Sequence, residues 1–183
     1  MDQIYIDKVL AGDSHCFRYF LKTYKDMAYS VAMSVLKQEH LAEEVVQDAF
    51  MMCYQSLNKF KGHSKFSTWF YRIVVNCAFG ELRKSKHTLV EFDIVSHDTS
   101  FDENAFSILV QKERDHLIQE ALLLLPSKES LALRLFYLED LSIKEIVEIT
   151  GWTETNIKTI LHRSRKQLYQ VLSKLMKEEY YGA

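Results

Sequence analysis

The chain has 183 residues, 48% of them hydrophobic, and a formal net charge of −2, so it can bury a real core as one domain or two small ones and is not compositionally disordered. Five Gly and one Pro are few for a turn-rich β protein, and the apolar residues recur every three to four positions, which points to an all-α fold. No basic segment followed by a long apolar run opens the chain and no run of about eighteen apolar residues occurs, which argues against a signal peptide and a membrane span and for a cytoplasmic protein.

Asp13 is placed to cap a core-forming helix over 14–36, in which Phe17, Phe20, Leu21, Tyr24, Ala28, Val31, Ala32 and Val35 follow the helical period, either unbroken or interrupted near Asp26. Gln38, Glu39 and His40 interrupt the pattern, and a second helix follows over 41–57. Its inward set is Ala42, Val45, Val46, Ala49, Phe50, Cys53 and Leu57. Glu43, Glu44, Gln47, Asp48 and Gln55 lie outside and form a polar, mostly acidic face, which by itself reads as a solvated surface.

Residues 58–67 hold a Gly, small polar residues and three lysines, the composition of an exposed loop that suits an anionic partner. The next helix, over 68–84, carries Trp69, Phe70, Ile73, Val74 and Cys77 on one side. On another, Arg72, Asn76, Phe79 and Arg83 share a stripe at helical spacing. Such a stripe can bind phosphates, read a base edge and stack a base, or can be a solvated face with one stray aromatic. Over 88–104 the periodicity is lost and acids, Ser and Thr accumulate, as at a domain boundary. Helical pattern resumes near Ala105 and stops at Pro126, which fits the first turn of a new helix carrying Leu131, Ala132, Leu135 and Phe136.

The stretch 141–172 shows two helical periods split by a tight turn. Ser142 and Glu145 form a capping box; Ile143, Ile146, Val147 and Ile149 give the first helix an apolar side; Gly151 falls where helices end in a left-handed residue. Thr153 can cap the second helix, predicted to run to about Glu179. Its inward residues are Ile157, Ile160, Leu161, Ser164, Leu168, Val171 and Leu172, and Lys158, His162, Arg163, Arg165 and Lys166 remain outside. This is a helix-turn-helix, with a second helix sized for a DNA major groove.

The small net charge hides blocks of opposite sign. Residues 59–87 hold seven cations against one acid, residues 91–129 nine acids against three cations, and residues 154–174 five cations against one acid. Cys16, Cys53 and Cys77 are far apart and odd in number, which suits small buried apolar residues better than a disulfide or zinc site. HExxH, P-loop and GxGxxG signatures are missing, so enzyme chemistry has little support and no small-molecule substrate is implied.

These motifs, in this order, resemble the extracytoplasmic-function (ECF) sigma factors of bacterial RNA polymerase, members of the sigma-70 superfamily. The similarity runs from Gly12-Asp13 to about Leu172. Ala42-Glu43-Glu44-Val45-Val46-Gln47-Asp48-Ala49-Phe50 looks like the segment that binds the clamp helices of the polymerase largest subunit. Phe60-x-Gly62-x-Ser64-x-Phe66-x-x-Trp69-Phe70-x-x-Ile73-x-x-Asn76, continuing to Arg83-Lys84, resembles the stretch that opens and reads the minus-ten element. Leu125-Pro126, Leu135-x-Tyr137, Leu141-Ser142-x-x-Glu145-Ile146 and 157–165 look like the domain that reads the minus-thirty-five element. Departures from the family pattern are Leu41 where an acid is common, Asn156 where Thr is common, Ile160 where Arg is common and Val147 where Ala is usual.

The resemblance implies two small helical domains joined by an acidic linker: 1–88 for polymerase and the minus-ten element, 89–112 as linker, and 113–183 with the helix-turn-helix. It assigns Glu43, Glu44, Gln47 and Asp48 to core polymerase, with Phe50 in the core. Lys61, His63, Lys65, Arg72, Asn76 and Arg83 fall to minus-ten DNA, with Phe60, Phe66 and Trp69 holding the loop on the core. Thr155, Asn156, Lys158, Thr159, His162, Arg163, Arg165 and Lys166 fall to minus-thirty-five DNA, with Ile157 and Leu161 in the core. The partners implied are core RNA polymerase, promoter DNA and an anti-sigma factor; neither a cofactor, a metal nor membrane insertion is. The rival readings are a polymerase-independent helix-turn-helix regulator and a helical adaptor for an acidic protein.

Overall fold

The computed structural model describes residues 1–86 and 111–181. In that part the chain forms eight α-helices and no strand: α1 (Asp2–Leu10), α2 (Arg18–Leu36), α3 (Glu39–Ser56), α4 (Phe66–Lys86), α5 (Gln111–Leu124), α6 (Ser127–Leu133), α7 (Ile143–Thr150) and α8 (Glu154–Tyr181). Short 3₁₀ turns at Ser14–Phe17 and Leu57–Lys59 and a π-helical turn at Arg134–Leu138 complete it.

Helices α2, α3 and α4 pack on one another around Phe20, Val31, Val35, Phe50, Phe70 and Val74. Each such side chain contributes roughly 1.5–3 kcal/mol through its removal from water. Phe50 and Phe70 approach at 4.7 Å between ring centroids, and Phe20 and Phe66 at 4.5 Å, in tilted aromatic pairs. The helix predicted over 14–36 is continuous at Asp26, and its first turn is the 3₁₀ segment. Asp13 precedes that turn without capping it: its carboxylate accepts from the Cys16 thiol at 3.2 Å. Only Cys53 is fully buried, and burial pushes its thiol up to about 12; Cys16 and Cys77 are half-buried, contrary to the expectation for all three.

Helix α1 has no counterpart in the sequence reading. It buries only Ile6, and it is held by Asp2, whose two carboxylate oxygens accept from the Tyr19 and Tyr24 hydroxyls, each at 2.8 Å. Burial raises the Tyr24 phenol, and the Asp2 bond raises it further. Tyr5 stacks on Tyr19 at 4.0 Å.

In the second half, Pro126 stands one position before the first turn of α6, with φ −55° and ψ 151°, as its N-cap. Helix α6 packs on α8, and α5 lies alongside α8 with Leu117, Ala121 and Leu172 between them. The helix expected from Ala105 is observed from Gln111; residues 105–110 lie outside the described segments, as does most of the acidic linker. One apolar cluster runs without interruption from Phe20 and Phe70 to Leu135, Ile146 and Ile157, so the two halves share a core.

Candidate functional site

Helix α3 buries Ala42, Val45, Val46, Ala49, Phe50 and Cys53 at helical spacing. The remaining arc carries Glu43, Glu44, Gln47 and Asp48, all exposed, on one face. That face is less polar than the sequence suggested. Met51, Met52 and Tyr54 are 62%, 50% and 47% exposed, and with Leu21 of α2 they border the acidic residues. Phe17, Val46, Phe50 and Tyr54 line a shallow apolar groove between α2 and α3, with Lys25 and Gln47 at its edge. The signal available in the sequence was that Met51, Met52 and Tyr54 fall outside the inward stripe and yet are large and apolar.

The loop before α4 carries Lys61, His63 and Lys65 as exposed side chains. Gly62 turns it with φ +72°, where a Cβ would be strained. Phe60, Phe66 and Trp69 form a triangle with centroids 5.4–5.7 Å apart, and Phe66 reaches the core, so these aromatics hold the loop down as expected. On α4 itself Arg72, Asn76 and Arg83 are exposed. Phe79, the aromatic of the stripe, is not displayed for stacking: it packs edge-on against Trp152 at 6.2 Å and joins the core cluster. Asn76 also borders a groove between α3 and α4 that holds Asp48, Met52, Cys77 and Lys84.

The helix-turn-helix is built from local rules. The Ser142 hydroxyl accepts from the Glu145 backbone N–H at 3.3 Å, while the Glu145 carboxylate accepts from the Ser142 N–H at 2.9 Å and from its hydroxyl at 2.8 Å; the bonds to the carboxylate, with Lys65 added, hold it below its usual range. Gly151 ends α7 in the left-handed region at φ +71°. The Thr153 hydroxyl then accepts from the Asn156 N–H at 3.2 Å and opens α8. Helix α8 buries Ile157, Ile160, Leu161 and Ser164 and exposes Thr155, Asn156, Lys158, Thr159, His162, Arg163, Arg165 and Lys166. Ile160 is 8% exposed, so in this chain position 160 belongs to the core and is no reading position. Lys158 pairs with Glu154 at 2.6 Å, and Arg165 donates to the Tyr137 hydroxyl at 2.6 Å while lying 5.6 Å over its ring.

Three exposed faces therefore stand on one helical frame: an acidic and apolar face on α3, a basic loop and stripe on α4, and a basic face on α8. Chemically they offer docking and anion recognition. Among the described residues no cluster of His, Cys, Asp or Glu could hold a metal ion, and no helix is long and apolar enough to cross a membrane.

Family models for sigma-70 region 2 and sigma-70 region 4 match residues 20–88 and 115–168. The ECF RNA polymerase sigma factor SigW of Bacillus subtilis (strain 168) is 32% identical over 182 residues, which cover 93% of this chain and 96% of that one. The chain belongs to the ECF sigma factors of RNA polymerase. This sigma factor is also 24% identical to the RNA polymerase sigma-H factor of Pseudomonas aeruginosa, over 97% of its own length and 96% of the relative's. Its fold is similar to that of CnrH, solved in complex with the cytosolic domain of CnrY, with a TM-score of 0.65 at 18% identity, covering 94% of this chain and 97% of that chain. It is likewise similar to RpoE from Bartonella quintana, solved with the anti-sigma factor NepR, at TM-score 0.64 and 21% identity, covering 86% and 96%. As a sigma factor the protein is a DNA-binding transcription-initiation factor and not an enzyme.

Proposed function

We propose that this sigma factor docks on core RNA polymerase through the α3 face and reads a promoter in two pieces, the minus-ten element with the 59–65 loop and α4 and the minus-thirty-five element with α8. The carrying observation is that every residue of the three sets, from Glu43 to Lys166, is exposed, while the residues between them at helical spacing are buried. Glu43, Glu44, Gln47 and Asp48 supply charge that selects a basic partner surface, and Met51 and Tyr54 supply apolar area beside it. Lys61, His63 and Lys65 border the pocket for a base taken out of the stack; unstacking costs a few kcal/mol, which contacts to the single strand from Arg72, Asn76 and Arg83 offset. In α8, Lys158, His162 and Arg163 reach base edges or phosphates, Thr155, Asn156 and Thr159 line the same face, and Arg165 and Lys166 hold the backbone.

The division of labour follows the limits 1–88, 89–112 and 113–183. An anti-sigma factor is the expected regulator, since CnrH and the Bartonella RpoE were each solved with such a partner or a cytosolic domain bound. The protein acts in the cytoplasm, where polymerase and promoter are. Reconstitution with core polymerase and a promoter library tests the reading: start sites that depend on this protein are expected, and their absence would refute it.

A further inference from the structure

We propose that Glu154 reads a base of the minus-thirty-five element, its carboxylate accepting from the N4 amino group of a cytosine in the major groove. The inference rests on the assignment of α8 to minus-thirty-five DNA, and it adds an acid to a reading face so far described by its cations and small polar groups.

Glu154 is the first residue of α8, and it is the N-terminal end of a recognition helix that approaches base edges. It is exposed, and with Lys158 and His162 it makes a row at steps of four along the helix. Thr153 already caps α8 through its hydroxyl and the Asn156 N–H at 3.2 Å, so the helix start does not depend on Glu154. The Glu154 carboxylate meets the Lys158 ammonium at 2.6 Å with both side chains more than half exposed. Water screens such a pair, and it adds little to the fold.

A carboxylate is out of place on a surface that only holds phosphates. Glu154 is the one acid between Thr153 and Lys177, and like charge on the approaching backbone would oppose it. The bond from Lys158, with the charge of Lys144 on α7 added, holds its carboxyl below the usual range, so it meets DNA ionised. An ionised carboxylate accepts hydrogen bonds and cannot donate them. In the major groove guanine presents two acceptors, thymine an acceptor and a methyl group, and adenine a donor beside an acceptor, whereas cytosine presents a donor alone. Cytosine is the base that this group fits, and at the other three an acceptor faces an acceptor.

Lys158 extends the reading to a second base. Its ammonium has three N–H donors, so one can remain on Glu154 while another reaches O6 or N7 of a guanine. Residues four apart lie about 6 Å apart along a helix, and base pairs are stacked about 3.4 Å apart. The guanine is therefore expected within about two base pairs of the cytosine. The internal pair orients both side chains before DNA arrives.

Holoenzyme reconstituted from the full chain and core polymerase tests the assignment, on a promoter that the native protein uses and that is then randomised across its upstream element. Native protein, Glu154→Gln and Glu154→Ala are carried through the same selection and sequencing. The native protein is expected to favour cytosine at one position by about tenfold over the other bases. Glu154→Gln, whose amide both donates and accepts, should move the preference at that position to adenine and leave the others as they were. Glu154→Ala should lose the preference there and bind random-sequence duplex about threefold more tightly, because a like charge is gone. Unchanged base preferences in both variants, with or without a lowered thermal midpoint, would make Glu154 a helix residue only and overturn the proposal. An upstream element in which no cytosine is favoured overturns it as well. If the native holoenzyme uses no promoter, or one whose upstream sequence is immaterial, it is the assignment of α8 that fails, and the role of Glu154 falls with it.

Discussion

The Lys65 ammonium and the Glu145 carboxylate, 80 residues apart in sequence, meet at 3.1 Å and connect the basic loop before α4 to the first turn of the helix-turn-helix. Glu145 is engaged twice, since the same carboxylate accepts from the Ser142 backbone and hydroxyl. The two roles differ in weight. The cap satisfies backbone donors at a helix start, whereas Lys65 is 75% exposed and its ion pair is screened by water.

Ser142→Ala is therefore expected to lower unfolding stability by about 1 kcal/mol. Lys65→Ala should change it by no more than about 0.5 kcal/mol. Urea denaturation of both variants measures the difference, and equal losses would mean that the ion pair, not the cap, carries the stability.

Positions 156 and 160, both on α8, behave oppositely in the fold. Asn156 is exposed at the start of α8; Ile160 is buried beside Ile157 and Leu161. Ile160→Arg should cost about 1–3 kcal/mol of stability, because a guanidinium enters an apolar site without a partner. Asn156→Ala should leave stability within about 0.5 kcal/mol and alter the preferred minus-thirty-five sequence, as read by selection from a randomised duplex pool.

The contrast shows what local pattern reveals. The capping box at Ser142 and Glu145, the left-handed Gly151 and the Thr153 cap were legible because each acts within four residues, and the α3 and α8 faces because burial follows the 3.6-residue period. Helix α1 was not, since it buries Ile6 alone and is held by Asp2 reaching Tyr19 and Tyr24, 17 and 22 residues away. The hydrogen bonds between the two halves were equally invisible: Tyr71 with Glu139 and Lys37 with the Leu122 carbonyl are pairs 68 and 85 residues apart, and no spacing rule announces them. Phe79 looked like a stacking residue because its cover, Trp152, comes from the other half of the chain.

Lys37 makes the fold pH-sensitive with a defined sign. Burial, then the nearby Arg134, lowers its ammonium to about 7 from an ordinary 10.5, against a smaller opposing pull from Glu129. Between those values the unfolded chain binds a proton that the folded chain does not, so the Lys37 contribution to stability rises with pH above 7, falls as pH drops toward 7, and is flat below it. From pH 7 to 8.5 the native protein should gain up to about 2 kcal/mol relative to Lys37→Met. Chemical denaturation of both proteins at the two pH values reads this, and parallel profiles would refute it.

The α3 face should respond to charge and to apolar area separately. Asp48→Arg reverses a charge on an exposed position and should weaken core polymerase binding by about tenfold or more with the thermal midpoint unchanged. Met51→Ala removes exposed apolar area from the same face and should weaken binding by a smaller factor with little salt dependence, unlike Asp48→Arg. Titrations against labelled core polymerase at two salt concentrations separate them. Undiminished affinity in both variants would move the docking site elsewhere.

Asn76 offers the sharpest separation between holding DNA and opening it. It is exposed on α4, one turn beyond Arg72 and beside the half-buried Phe79, so its amide is the neutral hydrogen-bonding group on a stripe whose other exposed members are cations. Arg72 and Arg83 can bind any phosphate, on duplex or single strand, and this attraction carries no information about strand separation. An amide matches a base edge, and its contact to a base already out of the stack exists only after melting. Asn76→Ala should therefore leave polymerase-dependent duplex binding within about twofold while lowering open-complex formation by about tenfold, a difference near 1.4 kcal/mol expressed only in the melted state. Arg72→Ala should weaken both steps, and its effect should fade as salt is raised. Permanganate footprinting for melting and filter binding for the closed complex, run side by side, distinguish the two variants. Equal losses for Asn76→Ala in both assays would assign the residue to duplex contact and leave base capture to the loop carrying Lys61, His63 and Lys65.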